Sequence, residues 1–212
     1  MRKLFTLCLL FCILWASVCP AAAEGEISVS AQAAVLMEAA TGEIVFSKDS
    51  DIRLPMASTT KIMTALVALE NGDLCMPVHI AEEAVGVEGS SVYLTAGETL
   101  TLEDLLYALL LESANDAAAA IACAISGNID AFSDAMNAKA VELGLKNTHF
   151  TNPHGLDNED HYTTANDLAK LTIYAMNNPD FARIVSTYKK TIPLKDGEGT
   201  RLEMTHISIN RD

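Results

Sequence analysis

The stretch Arg53-Leu54-Pro55-Met56-Ala57-Ser58-Thr59-Thr60-Lys61-Ile62-Met63-Thr64-Ala65 decides the architecture, because it opens a segment that cannot lie on a surface. After Pro55, residues 58–70 place Ile62, Met63, Leu66, Val67 and Leu69 on nearly all sides of a helix. A helix that is apolar all round is a buried one, so the spacing predicts a core helix, closed at Asn71-Gly72. Its head carries Ser58 and Lys61, one turn apart on one face, where an amine can take the proton of a hydroxyl. Unpaired N–H groups and the positive end of the helix dipole favour an oxyanion there and disfavour a protonated lysine. The plainer alternative is an N-cap serine beside a solvated lysine.

Around this helix the pattern is mixed. Residues 33–47 carry apolar stretches on either side of Ala40-Thr41-Gly42, which suits a β-hairpin. Thr101 and Asp104 resemble a capping box, and Leu102, Leu105, Leu106, Leu109 and Leu110 follow at helical spacing. Residues 113–124 read as a short Ala-rich helix that permits close packing, and residues 131–143 as an amphipathic helix ended by Gly144. Thr164 and Asp167 cap a helix over residues 167–176, and residues 191–209 read as strands joined at Asp196-Gly197. With no repeat and no Pro/Gly/Ser-rich linker, the mature part is one domain or a piece of one.

A serine three residues before a lysine is a cheap pattern, and Ser186-Thr187-Tyr188-Lys189 is a second copy. Nothing there places the serine at the head of a buried helix. Ser113-Ala114-Asn115 follows Ser58 by 55 residues, in a short connection between the Leu-rich and Ala-rich helices. Ser126-Gly127-Asn128 and Ser208-Ile209-Asn210 repeat its letters, so the surroundings must select among the copies.

Those surroundings resemble the low-molecular-mass penicillin-binding proteins of the D-alanyl-D-alanine carboxypeptidase type. Ala39-Ala40-Thr41-Gly42 and the opening stretch are similar to that family's first hairpin and nucleophile helix. Gly89-Ser90-Ser91, Leu94, Gly97-Glu98 and Leu105-Leu106-Tyr107, leading to Ser113-Ala114-Asn115-Asp116-Ala117, resemble its second block. Asn152-Pro153-His154-Gly155-Leu156, His161-Tyr162-Thr163-Thr164-Ala165 and Asp167-Leu168-Ala169 resemble a third. The resemblance implies a mixed α/β fold shared with serine β-lactamases, a helix cluster against an antiparallel sheet. It implies Ser58 as nucleophile on the penultimate D-alanine carbonyl of a peptidoglycan stem peptide and Lys61 as its base. Ser113 would relay a proton to the leaving amine, and Asn115 would orient the substrate amide or Lys61. β-Lactams would acylate the same serine, and no cofactor is needed.

The family's third motif, Lys-Thr-Gly, is absent from the 212 residues; Lys195-Asp196-Gly197 lies too early and Lys190-Thr191 runs into Ile192. The expectation is therefore a chain that stops before the later strands, the β-rich domain and the C-terminal membrane anchor, with open strand edges that favour aggregation. Two rival readings follow: an inactive remnant and a serine β-lactamase. The second needs a deacylating base, yet no Glu-x-x-x-Asn stretch suits it.

Composition agrees with export. Arg2 and Lys3 precede an apolar run over residues 4–18, and Ala21-Ala22-Ala23 offers a cleavage site, so residues 1–23 read as a signal peptide rather than an anchor. Leu7, Phe11 and Val18 precede Cys8, Cys12 and Cys19, which does not suit a lipid-modified cysteine. The remaining chain, residues 24–212, has 28 acidic and 12 basic residues, a net −16, which makes nucleic acid and anionic membrane surfaces poor partners. It would act in the extracytoplasmic cell-wall space. Cys75 and Cys123 stay in the mature part, their pairing open; Cys123, within the Ala-rich run, reads as a small buried residue. His154 and His161 flank Asp157, Glu159 and Asp160, which reads as a solvated acidic loop ordered by the histidines rather than a metal site.

Overall fold

The computed structural model describes residues 28–193 and 200–205; the expected signal peptide and the Asp196-Gly197 turn lie outside the described residues. The chain divides into Met1–Ala31 and Gln32–Asp212, and every described element belongs to the second unit. The segment quoted above forms a 3₁₀ turn, Ala57–Thr60, that continues as α1, Lys61–Asn71. Met63, Ala65, Leu66 and Ala68 are wholly buried, because the other helices surround α1. These are α2 (Leu102–Leu111), α3 (Asn115–Ser126), α4 (Ile129–Glu142), α5 (Ala165–Met176) and α6 (Pro179–Val185).

The small side chains Ala117, Ala118, Ala119, Ala120 and Ala122 are buried, so α3 can approach α1, α2 and α4 together. Phe132, Phe150 and Phe181 fill the remaining space, each contributing about 1.5–3 kcal/mol by burial. The helices begin where short polar side chains can cap them. Thr101, Asn128, Thr164 and Asn178 each accept a hydrogen bond from a first-turn N–H, which contributes about 1 kcal/mol apiece. The Ala-rich helix starts later than expected. Ser113 is left-handed, φ +56°, and Ala114 is extended, so neither can belong to it.

The expected helix cluster and antiparallel pairing are both present, the strands forming three two-stranded antiparallel sheets among the described residues. β1 (Ala34–Met37) pairs with β2 (Ile44–Lys48), with an irregularity between Leu36 and Met37, and packs on α5. β3 (Pro77–His79) pairs with β4 (Thr99–Thr101), two short strands the sequence reading did not anticipate. β5 (Lys189–Pro193) pairs with β6 (Thr200–Thr205). β6 packs on α2, Ile192 and Met204 enter the core, and the Lys190 ammonium sits over the Tyr107 ring at 4.4 Å. Among the described residues each pair is backed by helices rather than joined edge to edge to another pair. No described helix is long and apolar enough to cross a membrane. Cys75 is exposed and Cys123 is half-buried rather than buried, and both are free thiols.

Candidate active site

Ser58 lies in the 3₁₀ turn and Lys61 opens α1, so the change of helix type occurs between them. The Lys61 side chain is turned inward and only 2% of the residue is exposed. Its Nζ lies 3.2 Å from Ser58 Oγ, 2.7 Å from Asn115 Oδ1 and 2.7 Å from the carbonyl oxygen of His154. Burial lowers its pKa from 10.5 to about 8. A neutral amine has two N–H groups and one lone pair. The two oxygens at 2.7 Å can only accept and so take both N–H groups, which leaves the lone pair for the Ser58 hydroxyl.

Asn115 reaches this amine because it is the first residue of α3, where its backbone N–H donates to the Ser90 carbonyl at 2.7 Å. Its Nδ2 donates to the Glu88 carbonyl at 2.6 Å. Ser113 shares with Ser58, Thr59 and Lys61 the wall of a hollow of about 440 Å³, whose other side is apolar, including Ile62, Leu110, Met176 and Phe181. All four residues singled out from the sequence, Ser58, Lys61, Ser113 and Asn115, are thus brought to one place. Ser186, the second serine of that spacing, caps α6, and Lys189 pairs with Glu203 on β6.

The Asn152-Pro153-His154-Gly155 loop braces the turn from behind. Thr64 Oγ1 donates to the Pro153 carbonyl at 2.6 Å, and Asn152 Oδ1 accepts from the Gly155 N–H at 2.7 Å. Gly155 has φ +92°, and a Cβ there would overlap the carbonyl of Ala57, immediately before Ser58. Glycine is required on both counts. His161 Nδ1 accepts from the Thr151 N–H at 3.0 Å, so its proton is on Nε2, which donates to Thr60 Oγ1 at 2.7 Å.

Burial, aided by the charge of Lys61 for His154 and of His149 for His161, lowers both histidines from 6.5 to about 4. They are therefore neutral at neutral pH. The loop is solvated at Asp157, Glu159 and Asp160 as expected, and the two histidines that hold its backbone are buried behind the turn that carries Ser58. Both ring nitrogens of His161 are engaged, and no group of three or more metal-ligating side chains occurs among the described residues.

Two contributors had no role in the sequence reading. The His154 carbonyl is a backbone atom and has no residue signature. Asp116 had one, a lone acid before an Ala run: it is 1% exposed and accepts from Ser91 Oγ at 2.6 Å, Leu94 N at 3.0 Å and Val92 N at 3.3 Å. Those bonds fix the loop that carries the carbonyls holding Asn115.

A family profile described as D-alanyl-D-alanine carboxypeptidase matches residues 20–209. D-alanyl-D-alanine carboxypeptidase DacF of Bacillus subtilis is 40% identical over 169 residues, which cover 77% of this chain and 43% of that protein. A D-alanyl-D-alanine endopeptidase of Pseudomonas aeruginosa is 34% identical, over 76% of this chain and 53% of its own length. Among solved structures, a D-alanyl-D-alanine carboxypeptidase from Mycobacterium tuberculosis superposes with a TM-score of 0.80 at 32% identity, covering 87% of this chain and 70% of the other. The chain spans about half the length of the curated relatives it matches. With the profile matching most of its length, the chain belongs to the D-alanyl-D-alanine carboxypeptidase family.

Proposed function

We propose that this chain carries the acylation machinery of a serine D-alanyl-D-alanine carboxypeptidase acting on peptidoglycan stem peptides outside the cytoplasm. The observation that carries the reading is the arrangement of Lys61, whose two nearest oxygens leave its lone pair for Ser58. Lys61 takes the Ser58 proton as Oγ attacks the carbonyl carbon of the penultimate D-alanine. The oxyanion lies against the Ser58 N–H, a donor of a kind whose loss costs about 2.7–4 kcal/mol. Ser113 passes a proton to the leaving nitrogen, the C–N bond breaks, and terminal D-alanine departs. Water then hydrolyses the ester on Ser58. A β-lactam follows the same first step and stays attached as its ring opens. Residues 1–23 direct export, and neither cofactor nor metal takes part.

A labelled penicillin and a D-alanyl-D-alanine peptide test this. A covalent adduct that Ser58→Ala abolishes and that Lys61→Ala slows by about 10²–10⁴-fold is expected, together with release of D-alanine. A Ser58-independent adduct, or none, sinks the reading. Rapid β-lactam turnover without D-alanine release would instead indicate a β-lactamase.

A further inference from the structure

The two ends of the Asn115 amide are alike in shape, and hydrogen bonding alone decides which faces Lys61. Because the Glu88 carbonyl takes Nδ2, Oδ1 is left for the amine. Turned over, the amide would present N–H groups to N–H groups, and Lys61 would lose an acceptor. The orientation of Asn115 thus depends on the loop from Glu88 to Glu98. Its inner side is held by Asn115 and Asp116, and Gly89 passes so close that a Cβ there would lie 2.6 Å from Asn115 Nδ2.

On the outer side, where the Ile80 backbone already pairs with Gly97 and Glu98, a further hold comes from a residue near the far end of the described chain. Arg201 on β6 donates through Nη2 to the Tyr93 carbonyl at 2.9 Å and through Nη1 to the Val92 carbonyl at 3.5 Å. Its Nε and Nη2 also grip Glu98 Oε2 and Oε1, both at 2.9 Å. Glu98 Oε1 in turn accepts from the Thr95 N–H at 2.6 Å. An isolated surface ion pair does little, but a planar guanidinium spread over a carboxylate and two carbonyls fixes a backbone. Between the two clamps Tyr93 is held at φ +57° with 84% of its surface exposed, a strained backbone that needs such support.

We infer that Arg201, with Glu98, is a positioning residue for acylation: by locking the Glu88–Glu98 loop it holds the Glu88 and Ser90 carbonyls on Asn115 and so keeps Oδ1 on Lys61. The inference rests on the reading of Ser58 and Lys61 given above. Arg201 touches no reacting atom. Its effect passes through the loop to the amide and then to the amine.

The test reads Lys61 directly, so that it works even in a chain that fails to acylate. In lysine-labelled protein the Lys61 side-chain resonance, assigned by its loss in Lys61→Met, should titrate near pH 8, well below an ordinary lysine, because the amine is buried. His154, the titratable group beside it, is already neutral above about pH 4 and does not disturb that range. In Arg201→Ala and Glu98→Gln the midpoint should move up toward the ordinary lysine value as water and a mobile amide reach the amine. The limiting rate of acylation by a labelled penicillin should fall about tenfold, with little change in half-saturating concentration. Arg201→Lys, which keeps the charge but cannot span the same acceptors, should not restore either. An unmoved midpoint in the folded variants, or full rescue by lysine, overturns the clamp. Absence of a Ser58 adduct in the parent chain counts against the proposed function instead, while the titration still decides the role of Arg201. Should Arg201→Ala not fold, Glu98→Gln, which keeps the side-chain shape, gives the answer.

Discussion

At the scale of single residues, the candidate site works by counting donors and acceptors. Lys61 has two oxygens that can only accept, so its neutral form is saturated in all but the direction of Ser58. Its lowered pKa also has a thermodynamic signature. Below about pH 8 both folded and unfolded chains carry the charge, and burying it costs stability. Between about 8 and 10.5 the folded chain has lost the proton while the unfolded one keeps it, so stability rises with pH. We expect denaturant midpoints to climb over that window and the climb to flatten in Lys61→Met. On the acid side, His154 and His161, lowered from 6.5 to about 4, bind protons more weakly folded than unfolded, so stability is lost as pH falls through that interval. Ser113 offers a different trade. Its φ of +56° is strained for a serine, so Ser113→Gly should raise stability by about 0.5–1 kcal/mol while slowing acylation, read by denaturation and by penicillin labelling.

At the scale of elements, the four candidate positions were legible because the blocks around them resemble a known family and because each sits where a pattern changes: the head of a buried helix for Ser58 and Lys61, a helix junction for Ser113 and Asn115. The capped helices were legible for a similar reason, a short polar side chain before an apolar repeat. α6 was missed although Asn178-Pro179-Asp180 is an N-cap, a proline at the first position and a first-turn acid. At seven residues, its apolar period is too short to stand out. β3 and β4, three residues each, carry no alternation that a pattern could detect. The bracing loop shows what letters omit altogether: its contribution is a carbonyl and the close approach of a glycine. Gly155→Ala should therefore cost about 1–3 kcal/mol in a urea titration and slow acylation as well, because the new methyl group pushes on Ala57. Loss of stability with an unchanged acylation rate would show that the loop does not brace the nucleophile turn.

At the scale of the whole molecule, the six α-helices among the described residues share one core around α1 while the described strands lie in three pairs. The β1–β2 pair leaves Leu36, Ile44 and Val45 exposed at 55%, 45% and 64%. Apolar side chains displayed together on strands favour self-association, and the chain's net charge of −14 opposes it at low salt. Light scattering of the parent chain should therefore increase with sodium chloride, and Val45→Lys should suppress the increase without affecting the Ser58 adduct. If Val45→Lys scatters like the parent, the association starts elsewhere.

The grip of Arg201 on Glu98 also sets an order in time, since its partners are 103 residues apart. A chain that emerges N-terminus first presents Ser58, Lys61, Ser113 and Asn115 long before Arg201. During that interval the helices can gather around α1, while the Glu88–Glu98 loop is fastened by Asn115, Asp116 and the Ile80 backbone but lacks the guanidinium across Val92, Tyr93 and Glu98. Ser58 is thus among the first parts of the candidate site to be made, and the Arg201 fastening arrives only as β6 does.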